Sequence, residues 1–87
     1  MIWFVYLALC SDKTIYTGIT IDLKRREKEH NFDNKLGSKY LRGKRPIHIV
    51  YYERYNTQSD ALKRERAIKN RKRDYKLKLI YSRNSCL

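Results

Sequence analysis

The longest apolar stretch, Ile2 to Leu9, constrains the rest of the chain most. It is rich in aromatic and β-branched residues and too short to be read as a long helix. It also falls far short of the roughly 20 apolar residues that a membrane-spanning helix needs. It predicts a buried strand. Ser11-Asp12-Lys13 supplies turn chemistry, and Thr14 to Thr20 resumes β-favouring residues, so an antiparallel hairpin is expected. With 87 residues the chain sits near the lower limit of what one hydrophobic core stabilises. One compact domain over residues 1–82 is expected, with 83–87 as a C-terminal tail.

From Asp22 the composition turns helical, through Leu-Lys-Arg-Arg-Glu-Lys-Glu-His, with Thr20 or Asp22 as N-cap. The face made by Leu23, Arg26, Glu27 and His30 has helical spacing but one apolar member. Such a helix cannot dock by hydrophobic contact alone. Either it is a solvated surface helix, or its inner face borders a polar site with Arg26 and His30 turned toward a ligand. Phe32 to Arg45 contains Gly37 and Gly43 among basic and polar residues and ends at Pro46, which reads as a long irregular loop. Ile47 to Tyr52 is a third strand. Thr57-Gln58-Ser59-Asp60 opens a second helix that runs to about Asn70, and Asp74 to about Tyr81 is expected to form a third, with the alternation at Leu77 and Leu79 also suiting a strand. The expected class is α+β, an α/β sandwich of order β-β-α-β-α-α with a three-stranded antiparallel sheet flanked by helices.

Lys and Arg number 21 against 9 Asp and Glu, a net charge of +12. A polyanionic partner follows, because neutralising phosphates releases condensed counterions. Nucleic acid, DNA foremost, is the expected partner. A membrane surface fits less well, since the basic residues are spread along the chain and are not gathered on one amphipathic helix. Cys10 and Cys86 lie at opposite ends with no Cys/His cluster, so two free thiols and no zinc site are expected. No basic segment precedes the apolar run, and a cytoplasmic location is expected.

Helix two places Glu65 in a stripe with Ala61, Leu62 and Ile68. A carboxylate there has to be paired, hydrogen-bonded or bound to a metal. A salt bridge with a nearby Lys or Arg is one answer. Tyr6 and Tyr16 fall in the paired strands, where a tyrosine ordinarily packs with its hydroxyl at the wet edge. Arg26 and His30 taken singly could be ordinary helix residues. Together these side chains could supply a base, a cation and a metal ligand, the parts that phosphodiester hydrolysis requires.

Phe4-Val5-Tyr6 and Tyr16-Thr17-Gly18, followed by Ile19-Thr20, Asp22-Leu23-Lys24-Arg25-Arg26 and His30-Asn31, resemble the GIY-YIG nuclease superfamily, and most of all its small stand-alone bacterial members. The resemblance continues through Gly37-Ser38-Lys39-Tyr40, Arg42-Gly43-Lys44-Arg45-Pro46, Ala61-Leu62-Lys63-Arg64-Glu65 and Ile68-Lys69. It implies that Tyr6 and Tyr16 are the motif tyrosines and Gly18 the close-packing glycine. It further implies that Arg26 is the phosphate-facing arginine and Glu65 the ligand for Mg²⁺ or Mn²⁺. Arg26 is preferred to Arg25 because the family spacing puts that arginine one helical turn before the position held by His30. Phe4 stands where the first half-motif has glycine, and Thr17 where the second has its central isoleucine. Both positions need strand backbone, so the fold is expected to survive.

The implied activity is a metal-dependent endonuclease, in DNA repair or processing. Tyr6 is expected to take the proton from the attacking water while Tyr16 orients water or phosphate, with the exchanged assignment left open. Arg26 would stabilise the transition state, and His30 could relay a proton. Lys39, Tyr40, Arg42, Lys44 and Arg45, with Lys69 and the adjacent Arg71, Lys72 and Arg73, form the expected substrate-binding surface. A protein partner could serve for targeting. The competing expectation is a non-catalytic module, binding DNA or RNA, that keeps the fold.

Overall fold

The computed structural model describes residues 1–85, with side chains through residue 82. The expected strands form, as β1 (Trp3–Leu9), β2 (Ile15–Thr20) and β3 (His48–Tyr55) in one antiparallel sheet of order β2-β1-β3. The first apolar run is thus the central strand, which is why it lacks a polar alternation. Its odd residues Val5 and Leu7 face one helical layer, while Tyr6, Ala8 and Cys10 face the other. β3 bulges between Leu7 and Ala8 of β1, where Val50 is the extra residue.

On the Val5 face lie α2 (Gln58–Lys69) and α3 (Arg73–Ser85), which contribute Ala61, Ile68 and Ile80 to the core. The Thr57 hydroxyl caps α2 by accepting the Asp60 N–H at 3.1 Å. Two arms of one partly buried ion pair bind this layer to the sheet: Arg64 on α2 donates to Glu53 on β3 at 2.8 and 3.1 Å. The Tyr51 and Tyr55 hydroxyls also donate to Glu53, and Arg64 reaches the Tyr75 hydroxyl of α3 at 3.2 Å. Arg64 and these hydroxyls hold the Glu53 carboxyl below its ordinary range although burial pulls the other way.

The Tyr6 face is covered by α1 (Leu23–Phe32) and a short 3₁₀ helix (Lys39–Lys44). Asp22 is the α1 N-cap, accepting from the Arg25 N–H at 3.0 Å. With one apolar residue on its inner face, α1 docks by hydrogen bonds. Glu27 accepts the Ile49 N–H at 2.7 Å, and the Asn31 amide brackets Ile47, accepting its N–H at 2.7 Å and donating to its carbonyl at 2.8 Å. The two polar side chains satisfy backbone groups of β3 and its approach, as buried amides require.

The segment expected to be a long irregular loop is shorter and more ordered than that. Leu41 is fully buried beneath the 3₁₀ turn. Arg45 donates to the His30 carbonyl at 2.7 Å and to Asn34 at 3.1 Å, and Arg42 donates to the Asn34 carbonyl. One buried leucine and two arginine anchors were not recognisable as structure in a basic, glycine-containing stretch. β3 and α3 also run farther than expected, to Tyr55 and Ser85. Cys10 is a buried free thiol, and Cys86 and Leu87 lie outside the described residues. Among the described residues no helix is long and apolar enough to cross a membrane.

Candidate active site

The register pairs Tyr6 with Gly18 across the β1–β2 ladder. The Tyr6 ring lies over Gly18: a Cβ built there would sit 2.6 Å from the Tyr6 hydroxyl and 2.7 Å from its ring carbon Cζ. Gly18 is needed because a tyrosine from the neighbouring strand crosses the place its side chain would take. Gly18→Ala is expected to push the Tyr6 ring aside, at a cost of about 1–3 kcal/mol in unfolding free energy. Chemical denaturation of the two proteins side by side checks the number.

His30, from the last turn of α1, is fully buried, and its Nε2 lies 2.7 Å from the Tyr6 hydroxyl. Its Nδ1 accepts the Ser38 N–H at 3.3 Å. A backbone N–H can only donate, so Nδ1 carries no proton in the neutral ring, and Nε2–H donates to Tyr6. The phenol's own proton is left to point elsewhere. Burial first, then the charge of Arg26, lowers the His30 pKa from 6.5 to about 4, with Glu29 opposing and Arg45 adding to the depression. The unfolded chain therefore takes up a proton near pH 6.5 that the folded chain refuses until near pH 4. Stability is full above that window and falls as pH drops through it, by up to about 3 kcal/mol. Urea midpoints between pH 7 and pH 4 check this, and His30→Gln should remove His30's contribution to the slope.

Tyr6 is 1% exposed. Its phenol pKa is raised, first by burial and then by Tyr16, with Glu65 adding to the rise and Arg26 working against it. One hydroxyl therefore senses three of the other residues singled out in the sequence. Tyr16 is half-buried beside it. Its ring sits 6.3 Å from that of Tyr6, 5.6 Å edge-on from His30 and 6.3 Å from Tyr40, on which it stacks.

Arg26 projects from α1 with Nη1 bonded to Glu29 at 2.9 Å and to the Leu36 carbonyl at 2.7 Å. Arg25, on the outer side, is the more exposed of the two and meets Glu29 only at 3.6 Å. The segment after α1 thus holds two site residues, Arg26 through the Leu36 carbonyl and His30 through the Ser38 N–H. Asp33 shapes that segment by accepting the Lys35 and Leu36 N–H groups at 2.8 and 2.9 Å. Gly37 lets it close, since a Cβ there would lie 2.3 Å from the Glu29 carbonyl oxygen. Neither Leu36 nor Ser38 could be found from sequence, because both act through backbone atoms.

Glu65 stands on α2, the helix that packs on the other face of the sheet, and its side chain is 15% exposed. The pairing allowed for in the sequence is present but long, with Lys69 Nζ at 3.7 Å. No group of three or more His, Cys, Asp or Glu residues able to hold a metal exists among the described residues. A closed transition-metal cage therefore has no basis here. A hard dication that keeps most of its water and takes one carboxylate does fit, because an ionised Glu65 offers only acceptor oxygens.

The expected substrate-binding residues divide. Lys39 and Tyr40 are exposed, and Lys44 lies 4.8 Å over the Tyr40 ring. Lys44 also pairs with Asp12 at 2.6 Å, Lys69 faces Glu65, and Arg42 and Arg45 anchor the segment after α1. Those four have partners within the protein.

Comparison with known proteins gives the family. Residues 2–78 match the GIY-YIG catalytic domain. A UPF0213 protein of Staphylococcus aureus strain Mu3 is 48% identical over 80 residues, covering 92% of this chain and 95% of its own, and the UPF0213 protein of strain MW2 matches equally. The solution structure of a UPF0213 protein from Bacillus halodurans superposes with a TM-score of 0.58 at 33% identity, covering 93% of this chain and 84% of that one. The chain belongs to the GIY-YIG family and is a relative of the UPF0213 proteins.

Proposed function

We propose that this protein is a metal-dependent endonuclease that hydrolyses phosphodiester bonds in DNA. The observation that carries this reading is the meeting of two strand tyrosines, a buried histidine and a helix arginine on one sheet face. A binding module has no physical need for that set.

Mg²⁺ or Mn²⁺ held by Glu65, water and substrate phosphate would supply Lewis-acid stabilisation of the phosphate and leaving oxygens. The chain's own residues do the rest. Arg26 turns its guanidinium fork to the phosphate oxygens as negative charge builds there. Tyr6, receiving the His30 Nε2–H, has its own O–H free to hold water or a phosphate oxygen in line. Its burial and raised pKa make it a poor proton acceptor. The base role therefore passes to the more accessible Tyr16, the exchanged assignment of the two tyrosines. Lys39 and Tyr40 bear on the strand beside the site.

One observation favours the binding-only alternative: Nη1 of Arg26 is already engaged by Glu29 and Leu36. The test is Tyr16→Phe beside the wild type, with cutting and binding measured on the same labelled DNA. Cleavage is expected to drop about 100-fold, a general base's usual share, with salt-sensitive binding kept. Equal cleavage would remove Tyr16 from the chemistry. Binding by both with no metal-dependent cutting by either would favour the binding module.

A further inference from the structure

Of the basic residues expected to bind substrate, Arg71 and Lys72 lie apart from the residues grouped around Tyr6. Between α2 and α3 the chain turns through Asn70, Arg71 and Lys72, and a shallow cavity of about 440 Å³ there is lined by Asn70, Arg71, Lys72, Asp74, Tyr75 and Lys78. Among the described residues no carboxylate lies within ion-pair distance of Arg71, Lys72 or Lys78. The one acid lining the cavity, Asp74, is outnumbered by three cations.

Arg71 differs from an ordinary surface arginine because its position is fixed in advance. Its guanidinium lies 4.3 Å over the Tyr75 ring. The Tyr75 hydroxyl accepts from Arg64, which is bound through both nitrogens to Glu53 on β3. The guanidinium therefore rests on a ring fastened to the sheet through a partly buried ion pair. Stacking uses the face of the guanidinium and leaves its in-plane N–H donors for a planar or tetrahedral oxyanion. Lys76 is held below its ordinary pKa, first by burial and then by Lys69, which also reflects crowded positive charge on this side.

The corner is continuous with the site. Glu65 and Lys69 are one helical turn apart, about 6 Å of axis, and the corner begins with the next residue. Arg73 donates to the Lys13 carbonyl in the β1–β2 turn, and Lys44 from the other layer meets Asp12 in that same turn. Cations from both layers therefore converge on one end of the sheet.

We infer that the α2–α3 corner is a second phosphate-binding surface, which holds the nucleic-acid backbone a few nucleotides away from the bond at the Tyr6–Glu65 site. The inference rests on the nucleic-acid reading but not on cleavage. A backbone fits better than a free small anion because the cations are spread along a shallow cavity, not closed around one point.

The test is metal-free binding, with chelator present, of single-stranded DNA of about six and about twenty nucleotides across a salt series. Wild type is compared with the triple variant Arg71→Gln/Lys72→Gln/Lys78→Gln. Each lost phosphate contact on a single strand flattens the salt dependence by about 0.7, so the long strand's slope should fall by about 2 and its affinity at moderate salt by 10-fold or more. The short strand, which occupies the site alone, should bind both proteins alike. Lys72→Gln/Lys78→Gln leaves the Arg71–Tyr75 contact in place and should give a slope change of about 1.4, separating a folding defect from lost contacts. Equal losses for both lengths, or none for either, would overturn the corner. Inorganic phosphate that displaces the long strand at low millimolar concentration would overturn the backbone assignment in favour of a small-anion site. Cleavage is scored separately with metal added, so a protein that never cuts but shows the length-dependent loss refutes the nuclease alone.

Discussion

Glu65→Gln is expected to lower metal-dependent DNA cleavage by at least about 1,000-fold while leaving metal-free DNA binding equal or slightly tighter. Glutamine nearly matches glutamate in shape but carries no charge. It cannot hold a hard dication as a carboxylate does, and a catalytic metal supplies several kcal/mol of charge stabilisation, about three decades in rate. Binding should not suffer, because removing a negative charge beside a polyanion lowers repulsion. Unfolding should change by under about 0.5 kcal/mol, since the existing Lys69 contact is long and half-exposed. Raising Mn²⁺ should restore part of the rate if a weakened site is the cause. Cleavage within threefold of wild type would remove Glu65 from the metal role.

Arg26→Ala is expected to reduce kcat and kcat/KM together, by about 100- to 1,000-fold, the range observed when one preorganised donor to a developing charge is removed. A loss confined to KM would mean that Arg26 merely attracts substrate. The substitution also frees the Leu36 carbonyl and Glu29, which costs about 1 kcal/mol for a lost hydrogen bond. Arg26→Lys separates the two effects. Lysine keeps the charge without the fork, so stability should largely return while the rate stays well below wild type.

The sheet and the starts of the first two helices were legible because their signals are local. β1 reads as a continuous apolar run because it is central and covered on both faces. Asp22 and Thr57 announce α1 and α2 because a capping oxygen acts within three residues of its donor. The 3₁₀ helix was not legible, since one buried leucine in a basic stretch gives no period. Glu27 was visible as part of an oddly polar helix face, but its partner is a backbone amide of β3, a long-range contact without a side-chain signature. Glu53 looked like one more charge on a strand, and only the fold reveals Arg64 and two tyrosines around it.

The candidate site divides in the same way. Tyr6, Tyr16, Arg26 and His30 lie on one side of the sheet, while Glu65 comes from the helix on the other, so no single element's periodicity could have assembled them. Family resemblance supplied the grouping. The geometry adds physical reasons for parts of it: Gly18 gives way to the Tyr6 ring, and the Ser38 N–H sets the tautomer through which His30 holds that ring's hydroxyl. For Arg42 and Arg45 the charge pattern was uninformative, because anchoring a carbonyl and binding a phosphate use the same guanidinium.

The most direct test of the central claim is incubation of the wild-type protein with end-labelled duplex, single-stranded and branched DNA and with RNA, in Mg²⁺ or Mn²⁺ and in chelator. Cleavage of at least one DNA substrate, internal to the strand and abolished by chelator, is the expected result. Salt-sensitive binding of every substrate with no cutting of any would contradict the nuclease assignment and leave a nucleic-acid-binding protein built on the GIY-YIG fold.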